Sequence, residues 1–212
     1  MTGAALAGLI LAGLFAIGDW VARAAKNERL EYACKPATLI ALIAAAVALT
    51  PAHDLSARRT WFVVALVCSL AGDVLLMLPS DLFVAGLGAF LVGHLFYVAG
   101  FWAHGPSAAS FSVAMAVVVV IVAPVGYRVL LALRGRRELG VPVALYMAVI
   151  SVMLAAALAT GNVLAGSGAA LFVASDAMIA WNRFVRPFPA ADLGIMVTYH
   201  LGQAGLVLSL LH

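Results

Sequence analysis

Long apolar runs that are nearly free of charge constrain the fold of this chain more than any other feature. Eight runs approach the roughly 20 mainly apolar residues that a membrane-spanning helix needs. We predict helices at 3–21, 36–52, 60–78, 83–103, 109–132, 140–160, 164–184 and 190–211. The runs are rich in alanine and leucine and lack the period-2 alternation of a membrane β-barrel. The sequence therefore predicts an all-α polytopic membrane helix bundle, with residues 1–212 forming a single integral membrane domain.

The composition excludes a water-soluble globular domain. Only 10% of the residues are charged and 66% are hydrophobic, whereas soluble domains carry about 25% charged residues. The net charge of +3 does not indicate nucleic-acid binding, because no basic patch is interleaved with exposed aromatic residues. No Cys/His spacing resembles a structural zinc site. We expect no nucleic-acid partner, no metal and no cofactor, and the oligomeric state stays open.

The lysines and arginines are distributed unevenly between the two predicted sides of the membrane. One side carries ten of them: Arg23, Lys26, Arg29, Lys35, Arg128, Arg134, Arg136, Arg137, Arg183 and Arg186. The opposite side carries only Arg58 and Arg59. The positive-inside rule places the side with ten charges in the cytoplasm. We therefore predict a multi-pass cell-membrane protein with both termini outside the cytoplasm.

Two weaker patterns concern how the helices pack. Helices 3 and 4 read GDVLLML and then GHLFYVAG, and helices 7 and 8 read SDAMIAW and then YHLGQAG. This similarity suggests two parallel four-helix repeats.

In helix 7 the small residues Gly166, Ala170 and Ala174 recur at every fourth position. Such a stripe predicts close helix–helix packing in lipid.

Polar side chains within the predicted spans are candidates for function, because a central Asp costs about 2.5–3.5 kcal/mol on insertion scales. They are Asp73, His94, Tyr97, Tyr146, Asp176, Tyr199, His200 and Gln203. At 1.5 Å per residue, Asp73, Asp176 and Tyr199 lie about 7–10 Å from the cytoplasmic ends of their helices. We therefore predict a single polar cavity that opens toward the cytoplasm. Asp19 lies nearer a helix end, and we expect it to be solvated or to cap that end.

Asp73 and Asp176 form the chemically most informative pair. Two carboxylates in a low-dielectric cavity do not easily both ionise, so one of them is expected to stay protonated. The pair would then supply a general acid beside a carboxylate base, as in glycoside hydrolysis. The structural alternative is two interhelical hydrogen-bonding sites. Covalent serine chemistry is not favoured, since no nucleophile elbow, Ser-x-x-Lys motif or phosphate loop is present.

Six segments between helix 2 and the end of the chain occur together. They are Lys35-Pro36 at the opening of helix 2, SLAGDVLLML at 69–78, FVAGLGAFLVGHLFYVAGF at 83–101, ALYM at 144–147, GAALFVASDAMIAWNRF at 168–184 and TYHLGQAGLVL at 198–208. The joint occurrence of GD, GHLFY, SD and YHLGQ is specific, although any one of these motifs alone would be weak. With these motifs in this order, the chain resembles the lysoplasmalogenases, a family of YhhN-like membrane proteins.

The resemblance implies hydrolysis of the vinyl ether bond of lysoplasmalogens. The products would be a fatty aldehyde and a glycerophospho-base such as glycerophosphoethanolamine or glycerophosphocholine. The family's acidic residues correspond to Asp73 and Asp176, the implied catalytic pair. The residues expected to bind the lysophospholipid are Lys35, His94, Tyr97, Tyr146, Ser175, Asn182, Arg183, Tyr199, His200 and Gln203. Among these, Lys35 and Arg183 are the expected phosphate ligands, and His200 departs from the aromatic residue that family members commonly carry there.

Two other classes of function stay open. Intramembrane Asp and His residues and a parallel repeat also suit a proton-coupled membrane transporter, although the chain is small and lacks obviously broken helices in both halves. The second class is a metal-dependent membrane lipid hydrolase with Asp73, His94, Asp176 and His200 as ligands. Aldehyde release that persists in a chelator would favour the metal-free hydrolase over both.

Overall fold

The computed structural model describes residues 1–52, 55–103 and 105–212. Within these ranges the chain forms eight α-helices and no β-strand. The helices are α1 (Gly3–Ala24), α2 (Glu28–Ala48), α3 (Ser56–Met77), α4 (Phe83–Trp102), α5 (Ala108–Ala132), α6 (Arg137–Ala159), α7 (Val163–Ala180) and α8 (Ala191–Leu208). All eight are long and apolar enough to cross a membrane. The predicted all-α polytopic bundle is therefore confirmed.

The second helix begins eight residues earlier than predicted. It starts at Glu28, so the predicted bounds 36–52 and the position of Lys35-Pro36 at its opening are wrong. The side chain of Asn27 accepts a hydrogen bond from the backbone N–H of Leu30 at 3.2 Å and caps the helix. The helix dipole favours the acidic residues Glu28 and Glu31 of the first turn. The charged stretch at 28–35, which lies outside the predicted spans, is therefore helical.

The last turn of α7 widens into a π-helix at Trp181–Val185, called the π-turn below. Single π-helical turns are rare and frequently occur at functional sites. The side chain of Asn182 accepts a hydrogen bond from the backbone N–H of Phe188 at 3.2 Å. This bond fixes the path by which the chain leaves the π-turn toward α8.

Three antiparallel pairs, α1–α2, α3–α4 and α7–α8, pack most extensively. Contacts of α2 with α3 and of α1 with α8 join these pairs, and α6 packs against both α4 and α7. The backbones of α7 and α8 approach closely at Gly168. A Cβ atom built on Gly168 would lie 2.8 Å from the backbone N of Leu206 and 2.9 Å from the backbone O of Gly202. The two backbones therefore touch directly, as small residues permit in membranes.

The predicted small-residue stripe of α7 does not serve this packing. Gly168 makes the close contact with α8, whereas Ala170 and Ala174 are exposed and line a cavity beside α5 and α6. The prediction that the stripe as a whole mediates close packing is therefore wrong. Of its members, Gly166 lies against α6, where an added Cβ would be 3.1 Å from Cδ2 of Leu158.

Hydrogen bonds tie the helices together at both ends of the bundle. At the end where α1, α3, α5 and α7 finish, called the basic end below, the hydroxyl of Tyr32 donates to the backbone O of Met77 at 2.6 Å. At the opposite end, the hydroxyl of Thr2 donates to the backbone O of Ala48 at 2.7 Å. These contacts hold the ends of neighbouring helices in register.

Candidate functional site

Asp73 lies buried on α3, where side chains of three helices meet. Its Oδ1 is 3.1 Å from Nζ of Lys35 on α2. Its Oδ2 accepts a hydrogen bond from the hydroxyl of Tyr199 on α8 at 2.7 Å. Because a buried charge is tolerated only when it is compensated, this ion pair explains how α2 carries a lysine inside an apolar bundle.

A second layer of polar side chains orients Tyr199. The amide Nε2 of Gln203 donates to the Tyr199 hydroxyl at 3.3 Å. The Oε1 atom of Gln203 accepts a hydrogen bond from the hydroxyl of Tyr97 at 2.5 Å. Since the Tyr199 hydroxyl accepts from Gln203, its single proton is directed at Asp73.

Asp176 on α7 lies in a different environment. Its Oδ2 accepts a hydrogen bond from the hydroxyl of Tyr146 on α6 at 2.5 Å. Among the described residues no Lys or Arg nitrogen lies within ion-pair distance of it. The neighbouring Ser175 donates to the backbone O of Ile195 on α8 at 3.0 Å and so holds α7 against α8. One aspartate is thus ion-paired, and the other is held by a tyrosine.

Both aspartates line one polar cavity at the basic end, with a volume of about 250 Å³. We call this cavity the vestibule. Its further polar lining consists of Arg23, Lys35, Ser175, Asn182, Arg183 and Asp192, together with Tyr199. The residues predicted to share one depth, Asp73, Asp176 and Tyr199, therefore do meet in a single polar cavity.

A second cavity of about 490 Å³ lies between α5, α6 and α7 and is almost entirely apolar. We call it the slot. Tyr146 lines the slot, and Asp176 lines both the slot and the vestibule. Apolar residues shared by both cavities, among them Phe83 and Phe90, surround this junction. The Asp176 carboxyl group therefore stands where a charged cavity passes into an apolar one.

The structure brings six of the ten predicted substrate-binding residues to these cavities. Lys35, Ser175, Asn182, Arg183 and Tyr199 line the vestibule, and Tyr146 lines the slot. The other four, His94, Tyr97, His200 and Gln203, are buried and line neither cavity. Tyr97 and Gln203 belong to the layer behind Tyr199.

The two histidines are held within the packed interior. Nδ1 of His94 donates to the backbone O of Phe90 at 2.6 Å, and its ring packs edge-on against Phe172. Nδ1 of His200 accepts a hydrogen bond from the indole N–H of Trp20 at 3.2 Å. In the part of the chain that the structure describes, no three His, Cys, Asp or Glu side chains are grouped to hold a metal. The ligand set of the metal-dependent alternative is therefore not assembled.

Sequence reasoning missed a charged cluster on α1. Asp19 is 0% exposed, so the prediction that it is solvated or capping is wrong. Its Oδ2 lies 3.6 Å from Nε of Arg23. Nη2 of Arg23 also pairs with Oε1 of Glu31 at 2.8 Å, and the Arg23 side chain lines the vestibule. The spacing of four residues between Asp19 and Arg23 is the signal that could have revealed the pair, because such residues share a helix face.

The π-turn lines both cavities at the basic end. It places Asn182 and Arg183 at the vestibule and Phe184 at the slot. Arg183 donates to both carboxylate oxygens of Asp81, at 2.8 and 3.0 Å. Its guanidinium also lies 4.2 Å from the ring centroid of Phe83. Arg183 is therefore anchored to the start of α4 rather than free in solvent.

Comparison with known proteins assigns the chain to a family. The model of the YhhN family matches residues 30–210. The chain belongs to the YhhN family. Human lysoplasmalogenase TMEM86B is 40% identical over 147 residues, which cover 69% of this chain and 62% of the relative. The lysoplasmalogenase of Mycobacterium tuberculosis is 37% identical over 179 residues, which cover 82% of this chain and 67% of the relative.

The match therefore spans about three fifths of the length of the human relative. A lysoplasmalogenase TMEM86B from pig shows a similar likeness, with 36% identity over 145 residues, which cover 68% of this chain and 61% of the relative. No solved structure matches the chain. The family expected from the motifs is thus shown, and the chain is a multi-pass membrane protein of that family.

Proposed function

We propose that this YhhN family protein hydrolyses the vinyl ether bond of lysoplasmalogens. The observation that carries the proposal is the position of Asp176 at the junction of the charged vestibule and the apolar slot. A lysoplasmalogen has the same division, because its vinyl ether lies between a charged headgroup and one aliphatic chain. Relatives that bear the name lysoplasmalogenase, with 36–40% identity, support the same activity.

The substrate would bind with its headgroup in the vestibule and its chain in the slot. The phosphate would be bound by the cationic side chains that line the vestibule, Arg23, Lys35 and Arg183, each of which also pairs with a carboxylate of the protein. Hydrogen bonds between such groups and a phosphate are charge-assisted and strong. This pose places the carbon–carbon double bond of the vinyl ether at Asp176.

Asp176 would act as the general acid. It has no cationic partner among the described residues, and Tyr146 occupies only its Oδ2, so Oδ1 can carry the proton. Transfer of that proton to the β-carbon of the double bond gives an oxocarbenium ion at the carbon attached to the ether oxygen. Proton transfer by a positioned side chain contributes about 10²–10⁴-fold to a rate.

Asp73 would remain the anionic partner because Lys35 pairs with it. Its negative charge would stabilise the cation and then accept a proton from the attacking water. The resulting hemiacetal collapses to a fatty aldehyde and glycerophosphoethanolamine or glycerophosphocholine, as its hydroxyl proton moves to the departing oxygen. Transfer of the proton from Asp73 to Asp176 across the vestibule, which both side chains line, would restore the acid. Overall one water is consumed, and the sequence of steps calls on no group beyond these side chains and the substrate.

Product analysis of the detergent-purified protein tests the proposal. We expect equal amounts of fatty aldehyde and glycerophospho-base from a lysoplasmalogen, with or without a chelator. The saturated alkyl ether analogue should not be cleaved, because it has no double bond to protonate. Release of a fatty alcohol from that analogue, or no aldehyde from the vinyl ether, would refute the proposal.

A further inference from the structure

The slot opens laterally between α5 and α7, whereas the vestibule lies at the basic end of the bundle. We infer that the aliphatic chain of the substrate lies along α6 and reaches the bilayer between α5 and α7. The nature of this occupant rests on the proposed function. The site itself rests on the lining, length and exposure of the slot.

The length of the slot follows from a single stripe of α6. Tyr146, Ile150, Leu154 and Leu158 recur at every fourth position and all line the slot. The twelve residues from Tyr146 to Leu158 rise about 18 Å along the helix axis. An extended backbone spans up to about 3.6 Å per residue, and each residue contains three backbone bonds. An extended aliphatic chain therefore advances about 1.2 Å per bond. The slot beyond Tyr146 therefore accommodates roughly 15 bonds of an extended aliphatic chain.

Exposure changes along the slot from one end to the other. Near Asp176 the lining is closed, since Val129 is 0% and Val143 is 3% exposed. Toward the opposite end of the bundle, Ile121 is 65% and Leu158 is 40% exposed although both line the slot. The slot is therefore enclosed around the carboxyl group and open to lipid farther away.

Small side chains on α7 keep this opening wide. Ala170 and Ala174 are exposed, lie one turn apart and line the slot. On the other flank, α5 packs against α6 and the π-turn, with α6 forming the floor between α5 and α7. Larger residues at the two alanines would bring α7 into the space that the chain needs.

The opening also provides separate routes for the two products. An aldehyde with a long chain is apolar and can pass from the slot directly into the bilayer. The glycerophospho-base is charged and can leave only through the polar vestibule at the basic end. The substrate chain would enter by the same lateral route without crossing water.

A bulky residue in the opening tests the inference by kinetics. In Ala170→Phe, the ratio of kcat/KM for a 16-carbon lysoplasmalogen to that for a 4-carbon analogue should fall on the order of tenfold, because overfilling excludes the long chain. Ala170 lines the slot about 9 Å along α7 from Asp176, so the short analogue does not reach it. The matched control is Ala116→Phe, since Ala116 is exposed on α5 but does not line the slot. An unchanged ratio in Ala170→Phe, or an equal fall in the control, would overturn the inference.

A second measurement does not depend on turnover. A saturated ether lysolipid with a diazirine at the end of its chain is bound to the wild-type protein and photolysed. The cross-links should map to 117–121 of α5 and 170–174 of α7, which contain slot-lining residues. Labelling confined to other helices would overturn the inference even if aldehyde release is observed. Labelling of α5 and α7 without aldehyde release would instead refute the proposed function and leave the chain site in place.

Discussion

Replacing Asp73 with asparagine removes one partner of a buried ion pair. Nζ of Lys35 lies 3.1 Å from Asp73, and the two side chains are only 7% and 3% exposed. Removing one partner of such a pair costs about 3–5 kcal/mol, because the other charge stays buried without compensation. In Asp176→Asn no ion pair is lost, and the amide oxygen can still accept the Tyr146 hydrogen bond. Even complete loss of that bond would cost about 0.6 kcal/mol by membrane double-mutant cycles.

We therefore expect Asp73→Asn to be less stable than Asp176→Asn, while both variants lose nearly all turnover. For a chain of this size, about 2–4 °C in Tm corresponds to 1 kcal/mol. The Tm should fall by roughly 6–20 °C in Asp73→Asn and by roughly 1–2 °C in Asp176→Asn. The matched control is Lys35→Met combined with Asp73→Asn, which removes both charges. It should regain stability without regaining turnover.

Turnover and Tm are measured on the same detergent-purified variants. Because residues that act as one unit have non-additive effects, Asp73→Asn combined with Asp176→Asn should be little slower than the slower single variant. Equal Tm values for the two single variants would refute the assigned role of the ion pair. A folded Asp176→Asn protein with turnover within a few-fold of wild type would end the two-carboxylate mechanism.

Three further predictions address the hydroxyl at the acid, the helix packing and the topology. Tyr146→Phe removes the donor to Asp176, so we expect kcat to fall more than KM rises in steady-state kinetics; an unchanged kcat would contradict this role. Gly202→Ala places a Cβ 2.9 Å from the backbone of α7 and should lower Tm, whereas Gly88→Ala meets nothing within 4 Å and should not. Reporter fusions at residue 212 and within 134–138 should report opposite sides of the membrane, with 134–138 in the cytoplasm; a cytoplasmic C-terminus would overturn the orientation.

The position of the site along the membrane axis was predictable. Each residue adds about 1.5 Å along a helix, so distance from a helix end fixes the depth of a side chain. Asp73, Asp176 and Tyr199 were predicted at similar depth, and the structure places all three in the vestibule. The loops that join the helices are short, which left little freedom to displace one helix along another.

The direction in which a side chain points around its helix was harder to predict. In a soluble helix the polar face marks the exposed side, but in these helices apolar residues occupy the buried and the exposed faces alike. The sequence therefore could not show that His94 and His200 point into the packed interior. Nor could it show that Ala170 and Ala174 face an opening rather than a neighbouring helix. These features depend on which helices become neighbours.

The proposed repeat gives a reason why two similar aspartates can have different roles. In each half, the aspartate of the third helix is contacted by the second helix: Lys35 of α2 pairs with Asp73, and Tyr146 of α6 bonds to Asp176. The partner is a cation in the first half and a neutral hydroxyl in the second. A cation stabilises the carboxylate, whereas a hydroxyl leaves an oxygen free to hold a proton. A single difference between the halves would thus be enough to separate the base from the acid.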